Sequence, residues 1–301
     1  DDFSNSKLFR NKTYINKFCR KYKNNKISII EIHNRPEYVP IINKNFPHTK
    51  IVLTYHNDPQ NLRGSINSDE REKLLEICTE VVFISNWIKR RFFENVKTNI
   101  NNNNRIIYHG TTKKKNINQS KKRKQILFVG KLNENKGYDI FVKVAEKFKK
   151  NNPEWNFIAI GNESRKRIFP DKNVVNEIGY KSNKEVLNYY EKSEIAIGNS
   201  RWDEPLGRIA IEATSRKCCP IITNVGGLIE SKDIAIVLKE NKVSTILKIL
   251  NKITKDKVYL RKLQSNFFEK HNFQISAISK LIDEIRDKIL FENSTLDKTR
   301  I

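Results

Sequence analysis

Short apolar runs alternate with segments of helical periodicity along most of this chain. Runs of strand length fall at 27–33 (ISIIEIH), 50–56 (KIVLTYH), 80–85 (EVVFIS) and 105–110 (RIIYHG). They return at 125–130 (QILFVG), 156–161 (NFIAIG), 173–179 (NVVNEIG), 193–199 (SEIAIGN), 218–223 (CCPIIT) and 233–239 (DIAIVLK). The stretches between them are amphipathic. In 136–150, Ile140, Phe141, Val144, Ala145 and Phe148 mark one apolar helical face. Short strands that are apolar on both faces and separated by helices predict an α/β chain with parallel sheets covered on both sides. From 243 onward the pattern is helical.

The alternation is interrupted at 111–124 (TTKKKNINQSKKRK), which is polar, basic and without periodicity. It reads as a linker, and predicts a first domain over 1–118, a second over 119–273, and a C-terminal helix in 274–301 that packs back on the first. The first domain offers only about four strands and opens on a basic helical stretch. A doubly wound domain ordinarily starts with a strand and a glycine-rich turn, so this domain reads as incomplete. The sequence contains no methionine, which fits a chain trimmed at its start.

Composition narrows the classes. The 301 residues suffice for two domains, and no apolar run approaches the ~20 residues of a membrane-spanning helix. Cys19, Cys78, Cys218 and Cys219 have neither disulfide-framework nor zinc spacing, so they read as reduced thiols of a cytoplasmic protein. The 58 Lys+Arg against 34 Asp+Glu give a net charge of +24. Lysines are scattered throughout, which favours compositional drift; an anionic membrane surface is the next reading. Nucleic acid is disfavoured, since no zinc finger, helix-turn-helix or RNA-binding sheet motif is present. Residues 7–26 form a basic helix with an apolar stripe of Leu8, Phe9, Tyr14, Ile15, Phe18 and Tyr22. That stripe could lie on anionic lipid or pack on the sheet.

Candidate chemistry gathers at strand ends of the second domain, where open parallel sheets bind ligands. After 125–130 come Gly130, Lys131, Lys136 and Gly137. The two lysines suit a diphosphate, or are two solvated lysines among many. After 193–199 comes SRWDEPLGRIAIEA, in which Pro205 and Gly207 are expected to open a helix whose N-terminal N–H groups favour an anion. Glu204 and Glu212 would be roughly 12 Å apart along the axis if both were helical. That is too far for a shared proton, but suits gripping the two hydroxyl-rich ends of a ligand with a negative centre. A surface glutamate and an unrelated helix glutamate would give the same spacing.

These motifs resemble those of the retaining glycosyltransferases of family GT4, which have the GT-B fold of two Rossmann-like domains facing a cleft. The resemblance rests on EPLGRIAIEA, with seven residues between its glutamates, and on VGKLNENKG, IGYKSNKEVLNYYEKSEIAIGNS and PIITNVGGLIE. It covers nearly all of 125–231. In the first domain EIHNRPEYV, LTYHNDP, LRGS and VVFISNWIKRRF are similar to members that build lipopolysaccharide, capsule and related envelope glycans.

The resemblance implies roles. Glu204 would hold donor sugar hydroxyls and Glu212 the ribose. Lys131 and Lys136 would bind the diphosphate, with backbone amides around Leu206 and Gly207, Pro205 lying just before them on the donor side; Gly130 would allow close approach. The backbone near Gly179 and Tyr180 would face the base. His56 would reach the sugar, although a capping or core histidine would look the same. The family has arginine where Lys131 stands, and glycine near Lys217. No Asp-x-Asp motif is present, so transfer with retention is expected to run without a metal and without a cofactor beyond the donor, a UDP-sugar being the leading expectation. The acceptor would be a glycan or a lipid-linked sugar, at the inner face of the plasma membrane. The rival readings are a non-hydrolysing nucleotide-sugar 2-epimerase and a non-catalytic basic binding protein.

Overall fold

The computed structural model describes residues 7–97, 103–164, 168 and 170–298. The chain forms two compact units. The first comprises residues up to Tyr108 together with the C-terminal helix from Ser279, and the second runs from His109 to Ile278.

In the first unit, α1 (Lys7–Tyr22) precedes β1 (Ile29–His33), α2 (Val39–Asn45), β2 (Lys50–Tyr55), α3 (Ser68–Ile77), β3 (Glu80–Phe83), α4 (Asn86–Phe93) and β4 (Asn104–Ile106). The strands form one parallel sheet in the order β1-β2-β3-β4. Helix starts are fixed by side-chain caps: Asn67 and Glu70 make a capping box on α3, and the Ser85 hydroxyl accepts from the Ile88 N–H on α4. The expected strand 105–110 is shorter than its apolar run, stopping at Ile106. On α1, Ile15 and Cys19 are buried, Phe18 packs edge-on to Phe46, and Tyr14 stacks with Tyr38. Much of the stripe is therefore used in packing within the unit. The side chains of Leu8 and Phe9 lie outside the described residues.

In the second unit, β5 (Arg123–Val129), α5 (Tyr138–Lys149), β6 (Asn156–Ile160), β7 (Asn176–Glu177), α6 (Asn183–Lys192), β8 (Ser193–Gly198), α7 (Arg208–Thr214), β9 (Cys219–Ile222) and β10 (Ile236–Val237) follow one another. The six strands are parallel, in the order β10-β9-β8-β5-β6-β7. All five apolar residues expected on the 136–150 face are buried on α5. The runs at 173–179 and 233–239 shrink to two-residue strands, because β7 and β10 are the sheet edges, and Leu228–Ile234 is a 3₁₀ helix. Helices α8 (Val243–Lys255), α9 (Lys257–Lys270) and α10 (Ile275–Lys298) complete the chain. Among the described residues no helix is long and apolar enough to cross a membrane.

The boundary between units falls at 108/109 rather than 118/119, and the reason is polar. Thr111 bridges to Gln274, the Lys114 N–H donates to the Ser215 carbonyl, and the Arg216 guanidinium holds the Thr112 carbonyl and hydroxyl. The Lys122 ammonium donates to the carbonyls of Tyr190, Glu191 and Ser193. The basic segment expected to be a linker is thus bound to the second unit by its own hydrogen bonds, which apolar periodicity cannot register.

Candidate functional site

The carboxyl ends of β5 and β8, adjacent strands, carry the two loops of interest. After β5 the Gly130 N–H donates to the Ile160 carbonyl, Lys131 projects exposed, and Leu132 is buried as an anchor. Asn133 caps a 3₁₀ turn over Glu134–Lys136 by accepting from the Lys136 N–H. Lys136 therefore precedes α5, which starts only at Tyr138.

The loop after β8 is tied to that turn. The Asn135 carbonyl accepts from the N–H groups of Arg201 and Trp202, and the buried Asn199 amide donates to the Gly137 carbonyl. Arg201 makes a bidentate fork with Asp139, both contacts at 2.7 Å. These bonds bring the two loops together, and at their junction the Lys136 Nζ meets the Glu204 Oε1 at 2.5 Å.

Pro205 and Gly207 do not open a helix. Gly207 stands in the left-handed region (φ 75°) as the residue before α7, which starts at Arg208 and has seven residues. Glu204, Pro205 and the buried Leu206 are loop residues, and Glu212 lies just over one turn into α7 rather than two. The loop is backed by residues 225–228: the Gly227 N–H donates to the Glu204 carbonyl at 2.6 Å.

Glu212 is buried, with 8% of its side chain exposed. Its Oε1 lies 2.7 Å from Arg208 Nη2 and accepts from Asn183 Nδ2 at 3.1 Å. Burial pushes its carboxyl above the ordinary range, against the pull of Arg208 and Asn183. Asn183 is placed by the Ser182–Glu185 capping box at the start of α6. The neighbouring His109 is lowered by burial and by the Arg208 charge.

The sites predicted from sequence are distributed as follows. Lys136 is paired with Glu204. Gly179 and Tyr180 follow β7, where the Gly179 carbonyl accepts from the Gly161 N–H and Tyr180 is exposed. His56 belongs to the first unit, just past β2, where its Nε2 lies 2.9 Å from His33 Nδ1. Sequence reasoning missed Arg208, Asn183 and Asn199. The four-residue spacing of Arg208 and Glu212 on a helix was the available signal for one of them; the other two make contacts distant in sequence. Chemically, the second unit presents two carboxylates, Glu204 held by Lys136 and Glu212 by the exposed Arg208, with Lys131 exposed on the loop after β5.

Residues 110–270 match the family model of the glycosyl transferases group 1. The chain is 23% identical over 235 residues to spore coat protein SA of Bacillus subtilis (strain 168), covering 68% of this chain and 62% of that protein. It is 36% identical over 124 residues to a 41.2 kDa protein in the cps region of Klebsiella pneumoniae, covering 39% of this chain and 33% of that protein. The chain thus spans less than two thirds of the length of these curated relatives. Among solved structures, Anabaena HepE in complex with UDP superposes with a TM-score of 0.74 at 14% identity, over 96% of this chain and 86% of that one. The two parallel α/β units accordingly have the GT-B fold. With more than half of its length matched, the chain belongs to the glycosyl transferases group 1 family.

Proposed function

We propose that this chain carries the activity of a retaining glycosyltransferase of family GT4. It would move a sugar from a nucleotide-sugar donor, UDP-linked in the first instance, to a glycan or lipid-linked acceptor in envelope polysaccharide synthesis. The observation that carries the reading is the joining of the two loops beyond β5 and β8. It sets Lys136 on Glu204, a few residues before the helix in which Arg208 holds Glu212. Anabaena HepE was solved with UDP and the Klebsiella relative lies in a cps region; both support the choice of donor and of pathway class.

In this reading Glu204 accepts hydrogen bonds from the donor sugar and Glu212 from the ribose. Lys131, Lys136 and the backbone N–H groups of Leu206 and Gly207, after Pro205, hold the diphosphate, with Gly130 allowing its close approach. Gly179 and Tyr180 lie by the base, and His56 contacts the sugar. The bond from the anomeric carbon to the diphosphate oxygen breaks, and the lysines stabilise the charge gathering on the leaving group without a metal. The acceptor oxygen bonds to the anomeric carbon on the same face, and its proton passes to the departing phosphate. A lipid-linked acceptor would place the protein at the inner face of the plasma membrane, where the basic α1 would meet anionic lipid.

Calorimetric titration with UDP, GDP and ADP, repeated on Glu212→Ala, tests the donor half. Selective binding of one nucleotide, lost in the variant, is expected. The stereochemical half fails if the product carries the inverted anomer. Flotation with anionic vesicles tests the membrane half, with association expected.

A further inference from the structure

The loop that carries Glu204 also carries two side chains that the proposed roles leave unused, Trp202 and Asp203. Of the chain's three tryptophans, Trp155 is 4% exposed and packs edge-on to Phe148, and Trp87 has the Arg91 guanidinium over its ring. Trp202 is 51% exposed, and among the described residues no aromatic or cationic group packs on its ring. Its backbone, by contrast, is held. The N–H is shared between the Asn135 carbonyl and the Ser200 hydroxyl, both at 3.1 Å, and the same hydroxyl lies 3.1 Å from the Trp202 carbonyl. Ser200 is itself buried, and its carbonyl accepts from the Thr223 hydroxyl at 2.8 Å. An indole has only two rotatable bonds, so on a fixed backbone it offers a wide apolar face at little entropic cost.

Asp203 is exposed, and among the described residues no hydrogen bond or ion pair engages its carboxylate, in a chain of net charge +24. Its backbone is backed closely: a Cβ on Gly226 would lie 2.8 Å from the Asp203 carbonyl carbon. The side chains to either side are engaged, Arg201 with Asp139 and Glu204 with Lys136. The loop thus offers to solvent one aromatic ring and one unpaired carboxylate, next to each other on a fixed frame.

That combination suits a sugar. The C–H face of a pyranose ring is apolar and lies flat on an indole, while a carboxylate accepts hydrogen bonds from hydroxyls. Position selects which sugar. Two residues span at most about 7 Å, so the Trp202 backbone stands within about one sugar ring of Glu204. In a transfer the acceptor oxygen must reach the anomeric carbon, so the acceptor sugar lies directly against the donor sugar. Lys136 and Glu204, 29% and 15% exposed, are the inner pair, and Trp202 and Asp203 are the outer one. We propose that Trp202 and Asp203 form the subsite of the acceptor sugar, and that this subsite takes a neutral, hydroxyl-rich ring, because Asp203 repels a ligand carboxylate. Naming that sugar the acceptor rests on the transferase reading; the sugar-binding chemistry of the two side chains does not.

The test is nitrogen-15 NMR of the indole N–H groups of the full chain, with the Trp202 signal identified by its loss in Trp202→Phe. The probes are the methyl glycosides of glucose, galactose, mannose and N-acetylglucosamine, each in excess, with methyl glucuronide as the acidic counterpart. The Trp202 signal is expected to shift with at least one neutral glycoside and to shift less with the glucuronide. Asp203→Asn should narrow that difference. Burying a half-exposed indole corresponds to about tenfold in affinity. In transfer assays with the glycoside that shifts the signal, Trp202→Ala should therefore raise the acceptor KM by about tenfold, with kcat and the donor KM little changed, and Trp202→Phe should recover part of the loss. A Trp202 signal unmoved by every neutral glycoside overturns the proposal, and so does a larger shift with the glucuronide than with any of them. If glycosides shift Trp202 while UDP, GDP and ADP all fail to bind, the transferase reading fails and the sugar subsite stands. If a nucleotide binds and Trp202 does not move, the subsite fails and the transferase reading stands.

Discussion

Lys136 and Glu204, 68 residues apart in sequence, meet at 2.5 Å where the loops beyond two adjacent parallel strands are laced together. Their side chains are 29% and 15% exposed. A pair that wet contributes little to stability, about 1 kcal/mol or less. In the roles proposed for them, toward a developing negative charge and sugar hydroxyls, the same two groups would be worth about 100- to 1000-fold in rate. Glu204→Gln and Lys136→Met should therefore each lower kcat by about that factor, while shifting the urea midpoint by the equivalent of no more than about 1 kcal/mol. Steady-state kinetics beside urea denaturation separates the two effects. A large stability loss with modest kinetic change would make the pair a structural clamp.

Glu212 gives a pH dependence with a definite sign. Burial raises its carboxyl above its ordinary 4.5, with Arg208 and Asn183 opposing. A raised acid holds its proton more tightly in the folded chain. Its contribution is most favourable below the unfolded value, and is lost as pH rises from there through the raised folded value. Glu212→Gln removes this term. Relative to wild type the variant should gain stability between about pH 4 and pH 7, read from urea midpoints at both. On the proposed role of Glu212, nucleotide affinity should fall in the same variant, because an amide is a weaker hydrogen-bond acceptor for ribose hydroxyls. A difference running the other way with pH would mean that Arg208 outweighs burial.

What the sequence made legible follows from what sets each feature. Strand positions and the buried face of α5 are set by apolar residues at fixed periods, and these were readable. The trimmed edge strands β7 and β10 were not, since the apolar run is present but a second neighbour is not. The stretch Pro205–Gly207 reads as a helix start because proline and glycine before an apolar run suggest one. The backbone at Gly207 instead delays α7 to Arg208. The glutamate pair stood out as a motif, whereas Asn183 and Asn199 act through partners far along the chain, which no local pattern encodes.

The glycines behind Glu204 should rank by what blocks them. Gly226 has φ 53°, and a Cβ there would lie 2.4 Å from the Glu204 carbonyl oxygen and 2.6 Å from its nitrogen. Gly207 has φ 75°, and its Cβ would meet the Leu228 Cδ1 at 2.3 Å. Both substitutions to alanine carry about 1–2 kcal/mol of left-handed strain. Only at Gly226 is the obstacle backbone, and the backbone of the site itself. Gly226→Ala should be the more destabilising by thermal melt, and should also lower turnover. Equal losses at the two positions would mean that the buried Leu228 cannot yield either.

Lys217 stands where the resemblance led us to expect glycine, and its backbone shows why glycine suits the position. It has φ 52°, just past the end of α7. Its N–H donates to the Thr214 carbonyl and the Cys218 N–H to the Ala213 carbonyl, the pair of bonds that closes a helix on a left-handed residue. The lysine does have one compensation, because its Nζ lies 5.0 Å from the centre of the Phe268 ring. Such a contact is worth about 0.5–1 kcal/mol when exposed, against about 1–2 kcal/mol of strain, and glycine's extra unfolded-chain entropy takes back about 0.5–1 kcal/mol. Lys217→Gly alone should therefore be close to neutral. The informative comparison is with Lys217→Ala, which loses the ring contact and keeps the strain. The glycine variant should exceed the alanine variant by about 0.5–1 kcal/mol in urea denaturation. An alanine variant as stable as the glycine one would show that the left-handed strain is no larger than glycine's entropy cost, about 0.5–1 kcal/mol, and that the ring contact decides the residue.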